Sequence, residues 1–489
     1  MGPGFVAADE WHSGGMVTRV AVVGGGITGL SAAWELVGSR SAAEGPELAV
    51  TVLEGSPVVG GKLRLDTVAG SLLDVGAESV LARRPEAMTL IAELGLGDRT
   101  VHPAPVSASV ISRGRRWPLP KATLMGVPSD LDSVRGLLTD AEVSRLAAEA
   151  LTPPIHGDVA VGAFVEDRLG AAVTDKLVEP LLAGVYAGHA RHLSLEMSVP
   201  ALHGAAREGR SLLETARAAA AAAADGPAAG TPVFASLRGG LGSLPSVLRS
   251  LLADRGAEVL TGRAVRQVRR TSSEYLVTSG PTTEQVERPF DAVVLATPAA
   301  PAARLLRGAA PAAAALLATV ESASMAIITL ALDGPVDALA GSSGFLVPPT
   351  EPLTIKASTF SSVKWPWLRE RDPDRTFLRA SMGRHREEAT LQQSDEALVG
   401  IALRDLATVV GALPAPVGAH VQRWGGGLPQ YAVGHRELVA RARAALPPGL
   451  VVGGAAYDGV GIPACIGSGR AAARAVLTRL PGHRARLRG

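Results

Sequence analysis

Three glycines spaced as Gly24-x-Gly26-x-x-Gly29 follow the apolar run Val20 to Val23, and they are the first residues in the chain whose spacing could do chemistry. That chemistry is the holding of a pyrophosphate. In such a turn the first glycine permits a sharp change of direction, the second lets the backbone approach the phosphates, and the third lets a helix pack closely on the strand. A helix beginning near Ile27 would then turn its free N–H groups toward the anion. Gly24, Gly25, Gly26, Ile27, Thr28 and Gly29 are therefore the candidate phosphate cradle. A second apolar run, Leu48 to Leu53, ends in Glu54, where an acidic side chain can hydrogen-bond a ribose hydroxyl. The competing reading is a glycine-rich turn without a ligand, a real competitor in a chain with 56 glycines. The order strand, turn, helix, strand, acid weighs against it.

A second glycine-bearing turn, Ser56 to Arg64 with Gly60, Gly61 and Lys62, would bring backbone amides and a cation to phosphate. It leads into two strand-like runs, Leu63–Val68 and Ser71–Val75, and then into Gly76-Ala77-Glu78-Ser79. Arg83 and Arg84 stand before Pro85, which begins a predicted helix through Leu94. Cations at a helix N-terminus oppose the dipole, so a carboxylate ligand would give them a reason to be there; a solvated helix start is the alternative. Near the C-terminal end, Leu450–Val452 predicts a strand, followed by a glycine-rich loop and a helix starting near Pro463. Its positive end would face a partly anionic group, such as the pyrimidine edge of a flavin. A plain strand–helix connection is the alternative.

These sites need elements to hold them, and 489 residues are enough for two or three domains. A net charge of +2 with 19% charged residues gives no sign of a nucleic-acid partner. Cys465 is the only cysteine, so no internal disulfide forms and the cytoplasm is the default location. Residues 1–15 carry Asp9 and Glu10 and lack the apolar core of a signal peptide. They read as a disordered leader, with Met16 as an alternative start. The apolar stretch 312–332 is broken by Glu321, Ser322 and Ser324, so no membrane span is expected, and at most peripheral membrane contact. Residues 121–225 read as mostly helical, with a cap at Leu138–Asp140 and helices over 160–169 and 173–182. The Ala-rich tract 216–230 reads as a helix end and a mobile loop. A glycine-rich segment from Phe234 opens a helix ending near Asp254. Runs at 258–260, 263–268, 275–278 and 290–296 return the chain to the nucleotide-binding sheet. Alternation over 325–332, 345–347, 353–358 and 376–382 predicts a separate antiparallel sheet. No acid–base constellation or metal site emerges, since His189, His192, His203 and His435 are each lone in the sequence and read as structural or exposed.

Several stretches together resemble the FAD-dependent amine oxidase-like superfamily and, within it, the protoporphyrinogen and coproporphyrinogen oxidases of haem synthesis. The stretches are Glu179-Pro-Leu-Leu-Ala-Gly184-Val-Tyr186-Ala-Gly188, Lys364-Trp365-Pro366, Trp424 with Leu428-Pro-Gln-Tyr431, and Gly459 to Gly467. The resemblance implies an α/β FAD-binding Rossmann-like domain, an α+β substrate domain and a helical domain. The corresponding division is 17–100, 231–298 and 436–489 for FAD, 101–120 and 299–435 for substrate, and 121–230 for the helices. It implies non-covalent FAD held by Gly24–Gly29, Glu54, Gly55, Gly61, Lys62, Gly76, Ala77, Glu78, Ser79, Val265, Trp424, Val460, Gly461 and Ile462, with Cys465 not linked to the flavin. It also implies substrate contacts at Arg83 and Arg84, near the porphyrinogen propionates, at Gly184, whose backbone would face the tetrapyrrole, and at Met382, where several members carry an aromatic. The implied reaction is removal of six electrons from a porphyrinogen, with O2 as acceptor, H2O2 as product and possible hand-over of the product to a ferrochelatase. Coproporphyrinogen III is the expected substrate and protoporphyrinogen IX the alternative. A flavin amine oxidase would want an aromatic cage, for which four Tyr are a poor supply. A non-catalytic flavin- or porphyrin-binding protein is the remaining reading.

Overall fold

The computed structural model describes residues 17–38, 48–225 and 230–479. The leader 1–15 and residues 226–229 of the Ala-rich tract lie outside the described residues; the helical part of that tract is present as Leu212–Asp225.

Two sheets organise the molecule. The first is a five-stranded parallel sheet with Glu258–Leu260, Leu48–Leu53, Thr18–Val23, Ala292–Leu295 and Leu450–Val452 in that order. Its inner strands are short runs rich in Val, Leu and Ala and buried on both faces, the pattern of a parallel sheet covered by helices, while the edge strand Glu258–Leu260 is partly exposed. The first helix, Ile27–Gly38, and the last, Ile462–Leu477, pack together on it. The second sheet has seven strands: Pro416–Pro429, Ser322–Asp333, Arg375–Met382, Ile355–Thr359, Gly344–Leu346, Ser109–Ser112 and Arg115–Pro118. It is antiparallel except where Gly344–Leu346 runs parallel to Ser109–Ser112. Pro416–Pro429 carries no clean alternation in its sequence because it is a half-exposed strand at the sheet edge, interrupted by Gly425, Gly426 and Gly427.

The helical region begins later than the sequence suggests. Thr123–Leu124 and Val127–Pro128 form a tight hairpin around Gly126, and the first α-helix of this region is Asp140–Ala147. Thr139 caps it with a reciprocal capping box: the Glu142 N–H donates to the Thr139 hydroxyl, and the Thr139 N–H donates to the Glu142 carboxylate. The predicted helix 173–182 is one stretch of a longer run from Ala171 to Tyr186, which loosens into a π-helix at Thr174–Val178. Phe234–Leu237 is a strand, and the helix expected to open there starts at Leu244. It pairs with Val80–Leu81 and Thr100–Val101, so long-range partners override the glycines that follow it.

Candidate cofactor and substrate site

The turn after the first strand is tight because nothing larger than glycine fits. Gly24 has φ +106°, and a Cβ there would lie 2.8 Å from the Ala296 carbonyl oxygen. A Cβ on Gly29 would lie 1.9 Å from the Gly24 carbonyl oxygen, which measures how closely the first helix returns to the turn. At Gly26 a Cβ would meet nothing within 4 Å; its backbone faces open space. That space is a cavity of about 800 Å³, lined among others by Gly24, Gly26, Ile27, Thr28, Glu54 and Gly55. Gly25 and Gly29 stand behind this wall. The Glu54 carboxylate accepts the Gly25 N–H at 2.6 Å and the Ser56 N–H at 2.7 Å, which holds it at the strand end with lone pairs to spare for a ligand.

The same cavity is also lined by Gly61, Lys62, Ala77, Val265, Val460, Ile462 and Cys465. Gly461 is the N-cap of the last helix, so the free N–H groups of that helix open onto the cavity. Gly469 seats this helix on the first, since a Cβ there would lie 2.1 Å from the Thr28 carbonyl oxygen. Burial pushes the Cys465 thiol up, so it stays protonated and packs as a small apolar group. Burial also pulls the Lys62 ammonium down, and no described carboxylate lies within ion-pair reach of it. An unpaired cation and two helix N-termini facing one elongated cavity suit a ligand with anionic groups.

A second cavity, of about 310 Å³, shares Lys62, Ala77 and Leu428 with the first, so the two meet at Lys62. Gly76, Glu78, Ser79, Gly184 and Trp424 line it, against a floor from the seven-stranded sheet that includes Ile327, Ala357 and Ser381. A Cβ on Gly184 would meet nothing within 4 Å, so its backbone faces this slot. The neighbouring motif residues fix the helix that carries it. Gln430 Nε2 donates to the Tyr186 carbonyl at 2.7 Å, and Gly188 leaves room for the Gln430 side chain, which a Cβ would meet at 2.0 Å. Tyr431 is fully buried, its carbonyl accepts the Ser194 N–H at 2.7 Å, and its hydroxyl donates to the Ala455 carbonyl.

Three expectations change. Met382 does not wall the slot. Side chains alternate along a strand, so with Ser381 facing the slot, Met382 is fully buried in the core beneath the sheet. Arg83 and Arg84 line neither of these two cavities. Arg83 donates to the Thr231 carbonyl, and Arg84 pairs with Glu86 at 2.5 Å beside a separate hollow along the last helix, because the chain turns away after Leu81 into the helix Pro85–Glu93. His189 is not lone. The left-handed Ala187 turns the chain back so that its ring meets Glu179 at 3.3 Å and Glu387 at 3.1 Å, and the Glu179 hydrogen bond raises its pKa.

One group went unseen in the sequence. Glu78 pairs with Lys364 at 2.7 Å and with Arg379 at 3.0 Å. Burial opposes ionisation of its carboxyl, but the two cations override that and hold it down at about 2. The Glu78 side chain is thus committed to an internal ion triad at the slot wall, and Arg379 carries it to the Gly76 carbonyl. The available signal was an arginine inside the alternating run Thr376–Met382. Among the described residues, no group of three or more His, Cys, Asp or Glu side chains could hold a metal ion.

An elongated, glycine-lined dinucleotide cavity that opens onto a slot over a separate sheet defines a flavin-dependent oxidoreductase. A model of the flavin containing amine oxidoreductases matches residues 27–477, and the chain belongs to that family. Its cofactor is FAD, and the phosphate cradle, the free Lys62 and the helix N-terminus at Gly461 fit that group. Within the family, the chain is 38% identical to the coproporphyrinogen III oxidase of Mycobacterium tuberculosis strain H37Rv, over 95% of this chain and 98% of that protein. It is 30% identical to the coproporphyrinogen III oxidase of Bacillus subtilis strain 168, over 94% and 98%. A solved structure from Exiguobacterium sp. 255-15, named provisionally as a protoporphyrinogen oxidase, superposes with a TM-score of 0.81 at 31% identity, covering 94% of this chain and 98% of that one.

Proposed function

We propose that this enzyme oxidises coproporphyrinogen III to coproporphyrin III, removing six electrons with O2 as acceptor and releasing H2O2. The observation that carries the reading is the slot itself. It meets the cofactor cavity at Lys62 and is floored by apolar and small side chains. The Glu78 carboxylate at its wall is tied up in an ion triad and so offers no proton acceptor. Bound FAD supplies the redox chemistry, and the protein has only to position the macrocycle and keep water from the reacting carbons.

In this reading FAD is held by Gly24–Gly29, Glu54, Gly55, Gly61, Lys62, Val265 and Val460–Ile462, with Gly76–Ser79 and Trp424 at its junction with the slot. The helix N-terminus at Gly461 faces the flavin's electron-rich edge. Gly184 presents backbone to the macrocycle. The division of the chain into FAD-binding, substrate-binding and helical parts at 17–100, 101–120, 121–230, 231–298, 299–435 and 436–489 belongs to the same proposal and is supported by the membership of the two sheets. No described helix is long and apolar enough to cross a membrane. A cytoplasmic enzyme that passes its product to a ferrochelatase is part of the proposal.

The test is aerobic oxidation of anaerobically prepared coproporphyrinogen III and protoporphyrinogen IX, with products identified by mass and kcat/KM compared. A clear preference for protoporphyrinogen IX overturns the choice of substrate, and oxidation of neither overturns the reading.

A further inference from the structure

A small cavity of about 20 Å³ lies beyond the wall of the substrate slot. Glu78 and Arg379 line both spaces and so form the partition between them. Side chains on one face of a strand recur at every second residue. Met325 and Ile327 line the slot, and Thr329 on the same strand lines the cavity. On the neighbouring strand Ser381 lines the slot, Arg379 borders both and Phe377 lines the cavity. The cavity is thus the next compartment along the same face of the seven-stranded sheet, lined also by Ser361, Trp365 and Trp367. It is large enough for one water-sized occupant.

Five of the lining side chains keep a buried polar atom with no partner among the described residues: Thr329 Oγ1, Ser361 Oγ, Trp365 Nε1, Trp367 Nε1 and Arg379 Nε. Thr329 is 1% exposed, Trp365 2%, Ser361 4% and Trp367 7%. Buried polar groups are ordinarily hydrogen-bonded, so five around one small space point to a ligand. The two indoles and the guanidinium Nε can only donate, and both hydroxyls can donate as well. A single water accepts two hydrogen bonds, whereas a monatomic anion accepts from all five. The charges agree with an anion. The ion triad at the partition sets two cations, Lys364 and Arg379, against one carboxylate, Glu78, and buried charges are ordinarily balanced. The other acid at the cavity is Asp74, whose two oxygens accept the Leu241 N–H at 3.0 Å and the Gly242 N–H at 2.7 Å. Burial outweighs those bonds and the Arg379 charge and, aided by the Glu78 charge, pushes the Asp74 carboxyl up to about 7. Once Asp74 is protonated, the cluster is one negative charge short.

We propose that this cavity is a halide site, in which one chloride ion accepts hydrogen bonds from Thr329, Ser361, Trp365, Trp367 and Arg379 and acts as the second counter-ion of the Glu78 triad. The site stands apart from both the cofactor cavity and the slot, so it holds whichever porphyrinogen the enzyme oxidises.

The test uses the FAD-loaded full chain. Sodium chloride is titrated against sodium gluconate at constant ionic strength and binding is read by chlorine NMR line broadening, while crystals soaked in sodium bromide are examined by anomalous diffraction. Saturable broadening is expected, with a bromide peak among Thr329, Ser361 and the two indoles. Ser361→Ala and Trp367→Phe line neither the slot nor the cofactor cavity. Each should raise the Kd for chloride about tenfold, the worth of one charge-assisted hydrogen bond, and leave the flavin content unchanged. Chloride should bind wild type more tightly as pH falls through about 7, where Asp74 gains its proton, and Asp74→Asn should abolish that trend. If Asp74→Asn does not fold, the Ser361→Ala and Trp367→Phe titrations still decide the matter. Water alone in the cavity of bromide-soaked crystals, or chloride binding unchanged in both variants, overturns the site. Binding that is saturable yet insensitive to pH overturns the part given to Asp74.

Discussion

Glu78 shows how much a single side chain can carry at this site. Its carboxylate joins the loop after the second glycine turn to Lys364 and to Arg379 on the large sheet, so it ties the cofactor side of the slot to the substrate side. Removing one member of a buried ion pair costs about 3–5 kcal/mol, because the partners remain buried and uncompensated. Glu78→Gln is expected to lose about that much, read by chemical denaturation at pH 7. The carboxyl is held at about 2 against an ordinary 4.5, so its stabilisation is fully present above pH 4.5 and is lost as pH falls through 2. The gap between wild type and variant should therefore narrow steadily below pH 4.5; a gap that stays constant to pH 3 would contradict the ion triad. The glycines, Glu54 and Lys62 were legible one residue at a time, because each has a role fixed by local geometry or by distance from the turn. Glu78 was visible only as part of a run, since its partners are hundreds of residues away. Met382 was misplaced because a strand's facing depends on register, and one position decides between slot and core.

Elements were legible where burial writes a simple pattern. The parallel strands are continuous apolar runs, and the helix after Thr139 announces itself by its cap. Thr139 lines neither cavity, so Thr139→Ala should cost about 1 kcal/mol of stability and leave kcat/KM within error. A fall in activity without a fall in stability would mean that the helical region bears on the site in a way its packing does not suggest. Phe234–Leu237 was less legible, because its partners Val80–Leu81 and Thr100–Val101 set its conformation from a distance. The edge strand Pro416–Pro429 hid behind its glycines and half-exposed faces. The edge strand lines both cavities at Leu428, and Phe234–Leu237 backs the slot wall through the Ser236 hydroxyl, which donates to the Glu78 carbonyl, so the stretches hardest to read are ones that support the site.

At the scale of the whole molecule, the two cavities meet at Lys62, and its ammonium answers to both. Lys62→Met should weaken FAD retention by about tenfold, the worth of one charge-assisted hydrogen bond, measured by flavin absorbance after dialysis. Turnover of the fraction that keeps its flavin should fall as well. Full retention of FAD with normal turnover would remove Lys62 from the site. The cofactor cavity also draws on both ends of the described chain. The first and last helices interlock at Thr28 and Gly469, and Leu450–Val452 completes the parallel sheet beside Ala292–Leu295. Such long-range closure is slow to form. On the ribosome, the glycine turn has no partner for its helix until Ile462–Leu477, more than 400 residues later, has followed it. Flavin loading is thus deferred until Leu450–Val452 and Ile462–Leu477 have been made, and a chain terminated before them would be colourless.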